Sequence, residues 1–434
     1  MTYIIGIDIG GTNTDAVLVD ANDKIACATK TTTTEDISHS FNNVLQKLME
    51  KSHIRSKEIE GVFVGTTHAT NALLQKKDLC RVGVIRIAGH FPEMLPPAFG
   101  WPHELKESIL AGVETINGGF QCDGSSLSPF CQEEAVRAIH NLCLQGVESI
   151  AIVCVFSPFN EKEEQQVADL IRQIKGDSFP ITLSCEVGSI GFIERENSAL
   201  LNACLTQVMR KGFSKLQSIC HKMGITAPLM ITQNDGSLID IEDAIKFPVL
   251  TISAGPTNSF IGGAKLANIS SAIVVDIGGT STDVGLVRNG FPIRSLNLSN
   301  VGGVALNFPM PDVLSIAMGG GSVITIKDSH PTIGSMSIAK NLTKDSISFG
   351  GDQLTLTDVA LSLGQIVIPH ATTIHLPQEL QDSVFKHASK KIHQLIIKMR
   401  GEHSHLPVIF VGGGAALFPS CYLEDNVSIP PISM

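Results

Sequence analysis

Two copies of one short pattern, each opening with an aspartate and carrying a pair of glycines, stand far apart in the sequence. Residues 8–15 read DIGGTNTD, and residues 276–283 read DIGGTSTD. The glycines have no Cβ, which lets the backbone bend sharply and approach a ligand closely. Consecutive N–H groups in such a turn form a concave nest that suits phosphate oxygens. The repeated pattern therefore predicts two phosphate-binding turns.

The aspartate that opens each copy adds a second chemical requirement. A carboxylate beside a phosphate is repelled unless a cation lies between them, and Mg²⁺ is usually held by one or two carboxylates, phosphates and water. Asp8 and Asp276 are therefore predicted as catalytic residues and Mg²⁺ ligands. Asp15 and Asp283 close the two copies and are expected to bond the turn backbone. The residues predicted to contact the phosphates are Gly10, Gly11, Thr12, Asn13, Gly278, Gly279, Thr280 and Ser281.

The elements that position these turns are apolar runs on both sides of each glycine pair. Such runs predict a β-hairpin in each copy, over residues 3–20 and 272–289. The first hairpin is followed by patterns for a strand, a helix, a strand, a helix and a strand, over residues 24–31, 35–51, 61–65, 69–77 and 82–88. This order is that of the RNase H-like fold used by actin, Hsp70 and the sugar kinases. The prediction is α/β, a duplicated RNase H-like (actin-like ATPase) fold with two lobes around a nucleotide cleft.

The remaining segments predict where the lobes divide. Residues 89–130, rich in Pro and Gly, are interpreted as an insertion or a loop over the cleft. Alternating helices and strands follow, and a long helical pattern begins near residue 193. We place the boundary just before it, giving an N-terminal lobe of residues 1–187 and a C-terminal lobe of residues 188–434. Each lobe then contains one hairpin.

A third glycine cluster stands near the end of the chain. Residues 408–411 predict a buried strand that stops in Gly412, Gly413 and Gly414. Three glycines permit very close approach of a flat ligand, and in this order they fit the adenosine side of a nucleotide site. A tight entry into a helix is the alternative. The helix expected to cover this strand is short or missing after Pro419.

Composition narrows the class of protein. The 434 residues are 43% hydrophobic and 17% charged, with a net charge of −10 and no Lys/Arg cluster, which argues against a nucleic-acid partner. The first strand begins at Tyr3, so we expect no signal peptide, and no apolar run is long enough for a membrane span. A cytoplasmic location is predicted. The ten cysteines show no CxxC spacing and are interpreted as buried, reduced thiols.

The segments around the hairpins resemble the hydantoinase/oxoprolinase family, A-subunit type, a branch of the actin/Hsp70/sugar-kinase superfamily. The resemblance covers nearly the whole chain, and the order of the motifs is more specific than any one of them. The matching segments are DIGGTNTD at 8–15, GTTHATNALLQKK at 65–77, ERENSALLNA at 194–203, QNDGSL at 233–238, SAGPTNS at 253–259, DIGGTSTD at 276–283, MGGGS at 318–322 and LTDVALSLG at 356–364.

The resemblance implies an ATP- and Mg²⁺-dependent opening of a five-membered cyclic amide, such as hydantoin or 5-oxoproline, through a phosphorylated intermediate. It also implies a B-type partner subunit, and a homo-oligomer is possible. Two alternatives stay open on the same scaffold. One is a small-molecule kinase, which would release a stable phosphorylated product. The other is a nucleotide-binding assembly or regulatory protein with little turnover.

Further candidate residues come from the motifs of the resemblance. Thr66, Thr67 and Asn71 are candidates for orienting the substrate or the γ-phosphate, although a helix N-cap explains Thr67 equally well. His68 is a candidate general base, with a solvated loop histidine as the alternative. Asp235 follows a buried strand in a region where kinases of the superfamily often hold their base, and it is a second candidate.

Overall fold

The computed structural model describes residues 2–89, 95–295, 299–327, 330–401, 405–418 and 427–428. It divides the chain into two compact units. Unit 1 comprises Met1–Ala254 and Leu296–Met310, and unit 2 comprises Gly255–Ser295 and Pro311–Met434. Within the described residues, no helix is both long enough and apolar enough to cross a bilayer.

Unit 1 begins with the predicted hairpin and continues through two sheets and a long helix. Its strands are β1 (Tyr3–Ile9), β2 (Asn13–Asp20), β3 (Ile25–Thr32), β4 (Ile59–Thr66), β5 (Val82–Ile87), β6 (Leu110–Ile116), β7 (Ser149–Cys154), β8 (Ile181–Leu183), β9 (Leu229–Thr232) and β10 (Leu238–Asp240). Its helices are α1 (Ile37–Ser52), α2 (His68–Gln75), α3 (His103–Ile109), α4 (Gln132–Leu144), α5 (Lys162–Lys175), α6 (Ser184–Val187), α7 (Phe192–Lys222) and α8 (Ile241–Lys246).

The first sheet has the strand order β10-β9-β4-β1-β2-β3. β1 runs antiparallel to β2 and parallel to β4, and β4 is parallel to β9. The order is RNase H-like, but the prediction for its fifth strand was wrong. β9 occupies that place, and the predicted strand at 82–88 is β5, which belongs to another sheet.

The second sheet of unit 1 is formed by residues that lie between β4 and β9 in the sequence, and its strand order is β6-β5-β7-β8. Its strand pairs are parallel, and every residue of β5 and β7 is buried, as expected for a sheet covered on both faces. Residues 89–130, predicted as an insertion or loop, contribute α3 and β6 to this region. Residues 90–94 of that segment lie outside the described residues.

The long helix α7 is buried over much of its length and packs against α1, α2, α8 and β7. These contacts place residues 188–254 with unit 1, so the compact units divide the chain later than the boundary predicted near residue 187. The reason is that the core of unit 1 needs α7 as a covering layer. Sequence periodicity shows that α7 is a helix but does not show which sheet it covers.

A buried ion pair joins the inserted sheet to α7. Arg86 of β5 donates from Nε and Nη2 to the two carboxylate oxygens of Glu196, at 2.6 and 2.7 Å, and both side chains are buried. This pairing is the main side-chain contact of Glu196. Burial raises the pKa of Glu196, and the adjacent Arg86 opposes that shift.

Replacing Arg86 with alanine should lower the free energy of unfolding by about 3–5 kcal/mol, because it leaves a buried carboxylate without its counter-charge. Urea denaturation measures the loss. The control is Arg55→Ala, which breaks an exposed pair with Glu58 that is also bidentate and should cost about 0–1 kcal/mol. Equal losses in the two variants would contradict the role of burial.

Unit 2 repeats the core arrangement of the first sheet. Its strands are β11 (Ala272–Ile277), β12 (Thr282–Arg288), β13 (Phe291–Pro292), β16 (Val313–Ile316), β17 (Ser322–Lys327), β18 (His330–Ser337), β19 (Val408–Val411) and β20 (Val427–Ser428), while β14 (Ser299–Val301) and β15 (Val304–Leu306) belong to unit 1. The helices are α9 (Ala254–Leu266), α10 (Leu342–Asp345), α11 (Leu356–Ser362) and α12 (Gln378–Arg400).

The sheet of unit 2 has the order β13-β12-β11-β19-β20, with β16 also paired to β12. β11 is antiparallel to β12 and parallel to β19, as β1 is to β2 and β4. The duplicated, actin-like α/β fold is therefore confirmed. The segment after Pro419, predicted to lack a covering helix, lies outside the described residues apart from β20.

The cysteines differ in exposure. The nine described cysteines are free thiols, and Cys80, Cys154, Cys204 and Cys220 are buried. Burial raises the pKa of Cys154, which keeps that thiol protonated and unreactive. The prediction of buried thiols was wrong for Cys122, which is exposed. Cys421 lies outside the described residues.

Candidate functional site

The two hairpins place their aspartates in the same way. Asp8 lies directly opposite Asp15 across β1 and β2, and Asp276 lies directly opposite Asp283 across β11 and β12. Cross-strand partners share one face of a sheet, and like charges directly opposite each other are destabilising. Each hairpin therefore carries a pair of carboxylates for which a bound cation would relieve repulsion.

The turns between the strands are called tip 1 (residues 10–13) and tip 2 (residues 278–281). The same backbone hydrogen bond closes each of them. Gly10 N–H donates to the Asn13 carbonyl at 3.0 Å, and Gly278 N–H donates to the Ser281 carbonyl at 2.9 Å. In the described part of the chain, the N–H groups of the next two residues in each tip donate to no protein acceptor. Paired outward N–H groups of this kind suit an anion.

Tip 1 lies beside the end of β4. Thr66 pairs with Ile9, the last residue of β1, and Thr67 donates its N–H and hydroxyl to the Ile9 carbonyl at 3.3 and 3.4 Å. Asn71 donates from Nδ2 to the Thr67 hydroxyl at 3.1 Å. The structure thus brings the three predicted substrate residues to the edge of tip 1. Thr67 occupies the N-cap position of α2, but its side chain makes no capping bond.

Tip 2 is enclosed by two further glycine segments of unit 2. Gly320 and Gly321 donate their N–H groups to the Gly278 and Gly279 carbonyls at 3.0 and 2.8 Å. A Cβ on Gly319 would lie 2.6 Å from the Gly278 carbonyl oxygen, so only glycine permits this approach. The sequence assigned residues 319–321 no role at the site; their signal was a further glycine cluster, in MGGGS.

The late glycines predicted for the adenosine side lie against the same tip. Gly414 N–H donates to the Ile277 carbonyl at 2.7 Å. Gly412 has a φ of +84°, and a Cβ there would overlap Oδ1 of Asp276. The structure therefore brings residues 412–414, residues 319–321 and Asp276 together around tip 2.

The carboxylates at the second hairpin are held in an unfavourable electrostatic environment. Burial raises the pKa of Asp276, a hydrogen bond from Ser259 opposes that shift, and the charge of Asp283 adds to it. Burial also raises the pKa of Asp283, opposed by the hydroxyls of Ser315 and Ser281. Asp283 therefore bonds side-chain hydroxyls, and the predicted bond to the turn backbone is not its main contact. Ser259, in SAGPTNS, was missed from the sequence.

The first hairpin differs because a lysine lies beside its second aspartate. Burial raises the pKa of Asp15, and Lys30, at 3.3 Å, opposes the shift. Lys30 stands opposite Asp15 on β3, where the second hairpin has Ser315 on β16. At this position the second pair meets a hydroxyl where the first meets an ammonium group, which makes the second pair the stronger candidate for binding a cation.

In metal-free buffer, Asp283→Asn should raise the free energy of unfolding at pH 7. The folded-state pKa is raised above 3.8, so the ionised carboxylate opposes folding at a pH above the folded value. The gain should shrink as the pH falls through the folded pKa and vanish below about 3.8, where the folded and unfolded chains are both protonated. Urea denaturation across this pH range tests it; a gain independent of pH would contradict it.

The two candidate bases have structural contacts. Burial lowers the pKa of His68. The His68 ring also forms a hydrogen bond with the backbone of Val208 and lies against Gly212, and both of these residues are on α7. Asp235 accepts from Ser237 N–H at 2.9 Å and from its hydroxyl at 2.6 Å, which closes the turn between β9 and β10. These contacts favour a structural role for each residue: His68 packs against α7, and Asp235 stabilises the turn.

A metal ion would need ligands from outside the protein. Among the described residues, no group of three or more His, Cys, Asp or Glu side chains could hold a metal. A pair of carboxylates beside a phosphate-sized nest nevertheless fits Mg²⁺, which retains waters and shares its coordination with phosphates. Asp276 and Asp283 fit that description in unit 2, and Asp8 fits it in unit 1.

Comparison with known protein families gives two matches that follow each other along the chain. The hydantoinase/oxoprolinase N-terminal region matches residues 4–175, and hydantoinase/oxoprolinase matches residues 195–395. Tip 1 and tip 2, with their aspartates, lie within the matched residues.

Individual proteins give the same result. The chain is 27% identical over 388 residues to the caprolactamase subunit alpha of Pseudomonas jessenii, covering 84% of this chain and 55% of that one. It is 28% identical over 400 residues to the acetophenone carboxylase gamma subunit of Aromatoleum aromaticum, covering 83% and 53%. It is 30% identical over 271 residues to the 5-oxoprolinase of Saccharomyces cerevisiae, covering 61% and 20%.

The chain thus spans about half the length, or less, of these relatives. The crystal structure of the ATP-dependent caprolactamase from Pseudomonas jessenii shares the fold, with a TM-score of 0.75 and 23% identity over 95% of this chain and 66% of that one. From these matches and the duplicated hairpins, the chain belongs to the hydantoinase/oxoprolinase family.

Proposed function

We propose that this chain is the A-type subunit of an ATP-dependent hydrolase that opens a five-membered cyclic amide of the hydantoin or 5-oxoproline type. The observation that carries the proposal is the second hairpin, where Asp276 and Asp283 lie beside a tip enclosed by two glycine segments. Support comes from the relatives, whose names include a caprolactamase and a 5-oxoprolinase. Each name denotes an enzyme acting on a cyclic amide.

The tips are proposed to bind the phosphates of ATP. The outward N–H groups of tip 1 and tip 2 donate to phosphate oxygens, and Thr12 and Thr280 add hydroxyl donors. Asp8 and Asp276 hold Mg²⁺, which when bound neutralises charge on the phosphates during transfer. The glycines at 412–414 are proposed to bind the adenosine side; a side chain on Gly412 or Gly414 would collide with the end of β11, so glycine lets this segment lie against tip 2.

ATP is needed because an amide carbonyl is a poor electrophile. Transfer of the γ-phosphoryl group to the amide oxygen breaks the bond between the β- and γ-phosphates and releases ADP. Water adds to the carbon attached to that oxygen and the ring C–N bond breaks, with a proton going to the ring nitrogen, which leaves an acyl phosphate. A second water attacks the acyl carbon, and phosphate leaves with the former amide oxygen. The products are ADP, phosphate and the ring-opened acid. The polar groups of Thr66, Thr67 and Asn71 are proposed to orient the ring beside tip 1.

A second subunit is part of the proposal. Two of the relatives are named as subunits, alpha and gamma, of their enzymes. The two candidate bases of this chain have structural contacts, since His68 packs on α7 and Asp235 closes a turn. We propose that a B-type partner supplies that group, while this chain carries out phosphoryl transfer.

The test uses carbonyl-¹⁸O hydantoin and 5-oxoproline, with ATP and with or without a co-purified partner. Transfer to the amide oxygen places the ¹⁸O label in the released phosphate, which mass spectrometry detects. A stable phosphorylated product would instead identify a small-molecule kinase. The absence of ATP turnover with every ring, in the presence of the partner, would contradict the proposal and favour a binding protein.

A further inference from the structure

Unit 1 contains a mainly apolar cavity of about 510 Å³ that the phosphate chemistry does not use. It lies at the carboxyl ends of two parallel strands, since Ala88 follows β5 and Val155 follows β7, and both line it. Phe120, Leu127 and Phe192 contribute further walls. Ligands of α/β proteins bind at the carboxyl ends of parallel strands, and cavities of roughly this size accept small molecules.

The walls of the cavity are fixed by backbone hydrogen bonds. Val155 N–H donates to the Ile87 carbonyl at 3.0 Å, which continues the pairing between β5 and β7. Phe120 N–H donates to the Val155 carbonyl at 3.1 Å, and Leu127 N–H donates to the Gly119 carbonyl at 2.8 Å. The cavity therefore needs no refolding of its walls, which lowers the entropy cost of binding.

The charge on the cavity wall is already compensated. Arg86 lines the cavity, but its Nε and Nη2 donate to Glu196 and its Nη1 donates to the Leu95 carbonyl at 2.8 Å. The Phe192 ring lies against the guanidinium, 5.4 Å from Cζ to the ring centroid. An anion would have to displace Glu196, and a cation would meet Arg86. An uncharged ligand avoids both costs.

The length of helix α7 gives the distance between the cavity and the region of tip 1. Phe192, its first residue, lines the cavity, while Val208, 16 positions later, bonds the ring of His68 beside the end of β4. At a rise of 1.5 Å per residue, these contacts are about 24 Å apart along the helix. We propose that the cavity binds an uncharged, mainly apolar small molecule, at a site separate from tip 1.

The experiment compares two fluorinated probes of similar size by ¹⁹F relaxation NMR on the full chain. 4-Fluorotoluene should bind, and 4-fluorobenzoate should bind at least about tenfold more weakly. The carboxylate of 4-fluorobenzoate loses hydration beside Arg86, whose charge is already balanced by Glu196. Mg·ATP should not displace 4-fluorotoluene, so the result is independent of whether the chain proves to be a hydrolase. No binding of 4-fluorotoluene at millimolar concentration would overturn the proposal, as would equal binding of the two probes.

Two variants on one loop locate the probe. Leu127→Trp fills the cavity and should weaken 4-fluorotoluene binding at least about tenfold, through loss of apolar area for the ring. Ser126→Trp, whose exposed side chain does not line the cavity, should leave binding unchanged. Unchanged binding in Leu127→Trp would overturn the proposal.

A measurement on the unmodified protein locates the probe without relying on the folding of a variant. Cys122 lines the cavity and is exposed, so 4-fluorotoluene should slow its alkylation by N-ethylmaleimide, followed by mass spectrometry. An alkylation rate unaffected by saturating probe would place the probe elsewhere and overturn the proposal.

Discussion

Asp276→Asn is expected to weaken Mg·ATP binding by about 100-fold or more, because it removes the charged oxygen that holds the cation at tip 2. The substitution preserves the shape of the side chain, and burial already raises the pKa of Asp276. The folded chain should therefore tolerate the neutral amide, or gain stability from it. Equilibrium dialysis with labelled ATP measures the affinity, and urea denaturation measures the stability.

The control for this variant is Asp312→Asn, an exposed aspartate of the same unit. It should leave both affinity and stability unchanged. Equal affinities for Asp276→Asn and the unmodified protein would contradict the assignment of Asp276 as a cation ligand. Loss of stability in Asp276→Asn would instead indicate a structural carboxylate.

Gly412→Ala is expected to lower the free energy of unfolding by about 3 kcal/mol, since an L residue is strained at the φ of +84° found there. Its Cβ would also overlap Oδ1 of Asp276 and lie 2.5 Å from the Ile277 carbonyl oxygen. The collision must move either the end of β19 or the carboxylate. We therefore expect a loss of Mg·ATP affinity together with the loss of stability, both measured on the same preparation.

The neighbouring glycine provides a matched control. A Cβ on Gly413 would have no atom within 4 Å, so Gly413→Ala should fold with nearly unchanged stability. If the two alanine variants are equally stable, the close approach at Gly412 does not constrain the fold. If Gly412→Ala loses stability but retains full affinity, the strand end is not part of the nucleotide site.

The duplicated hairpins were predictable because each turn is signalled locally. Glycine pairs between apolar runs specify a hairpin through turn geometry and alternation, and the strands agree with prediction to within a few residues. The position of Asp8 directly across from Asp15 also follows from the strand register that a short turn imposes. A repeated pattern then predicts a repeated structure, which unit 2 confirms.

Other features depend on tertiary contacts that a single sequence does not show. β5 and β9 both read as short apolar strands, and only packing decides that β9 joins the first sheet while β5 starts another. The need for glycine at Gly319 arises from the backbone of tip 2 rather than from its own turn. His68 reads as a loop residue but packs against α7, because Gly212 leaves room for its ring.

The glycine tips with their aspartates are proposed to bind Mg·ATP. The decisive experiment is isothermal titration calorimetry of the unmodified chain with ATP, first with Mg²⁺ and then with EDTA. We predict saturable binding of one ATP per chain that weakens strongly when Mg²⁺ is removed. A folded chain that releases no binding heat with Mg·ATP, or binds ATP equally well in EDTA, would show that the tips do not form a Mg·ATP site.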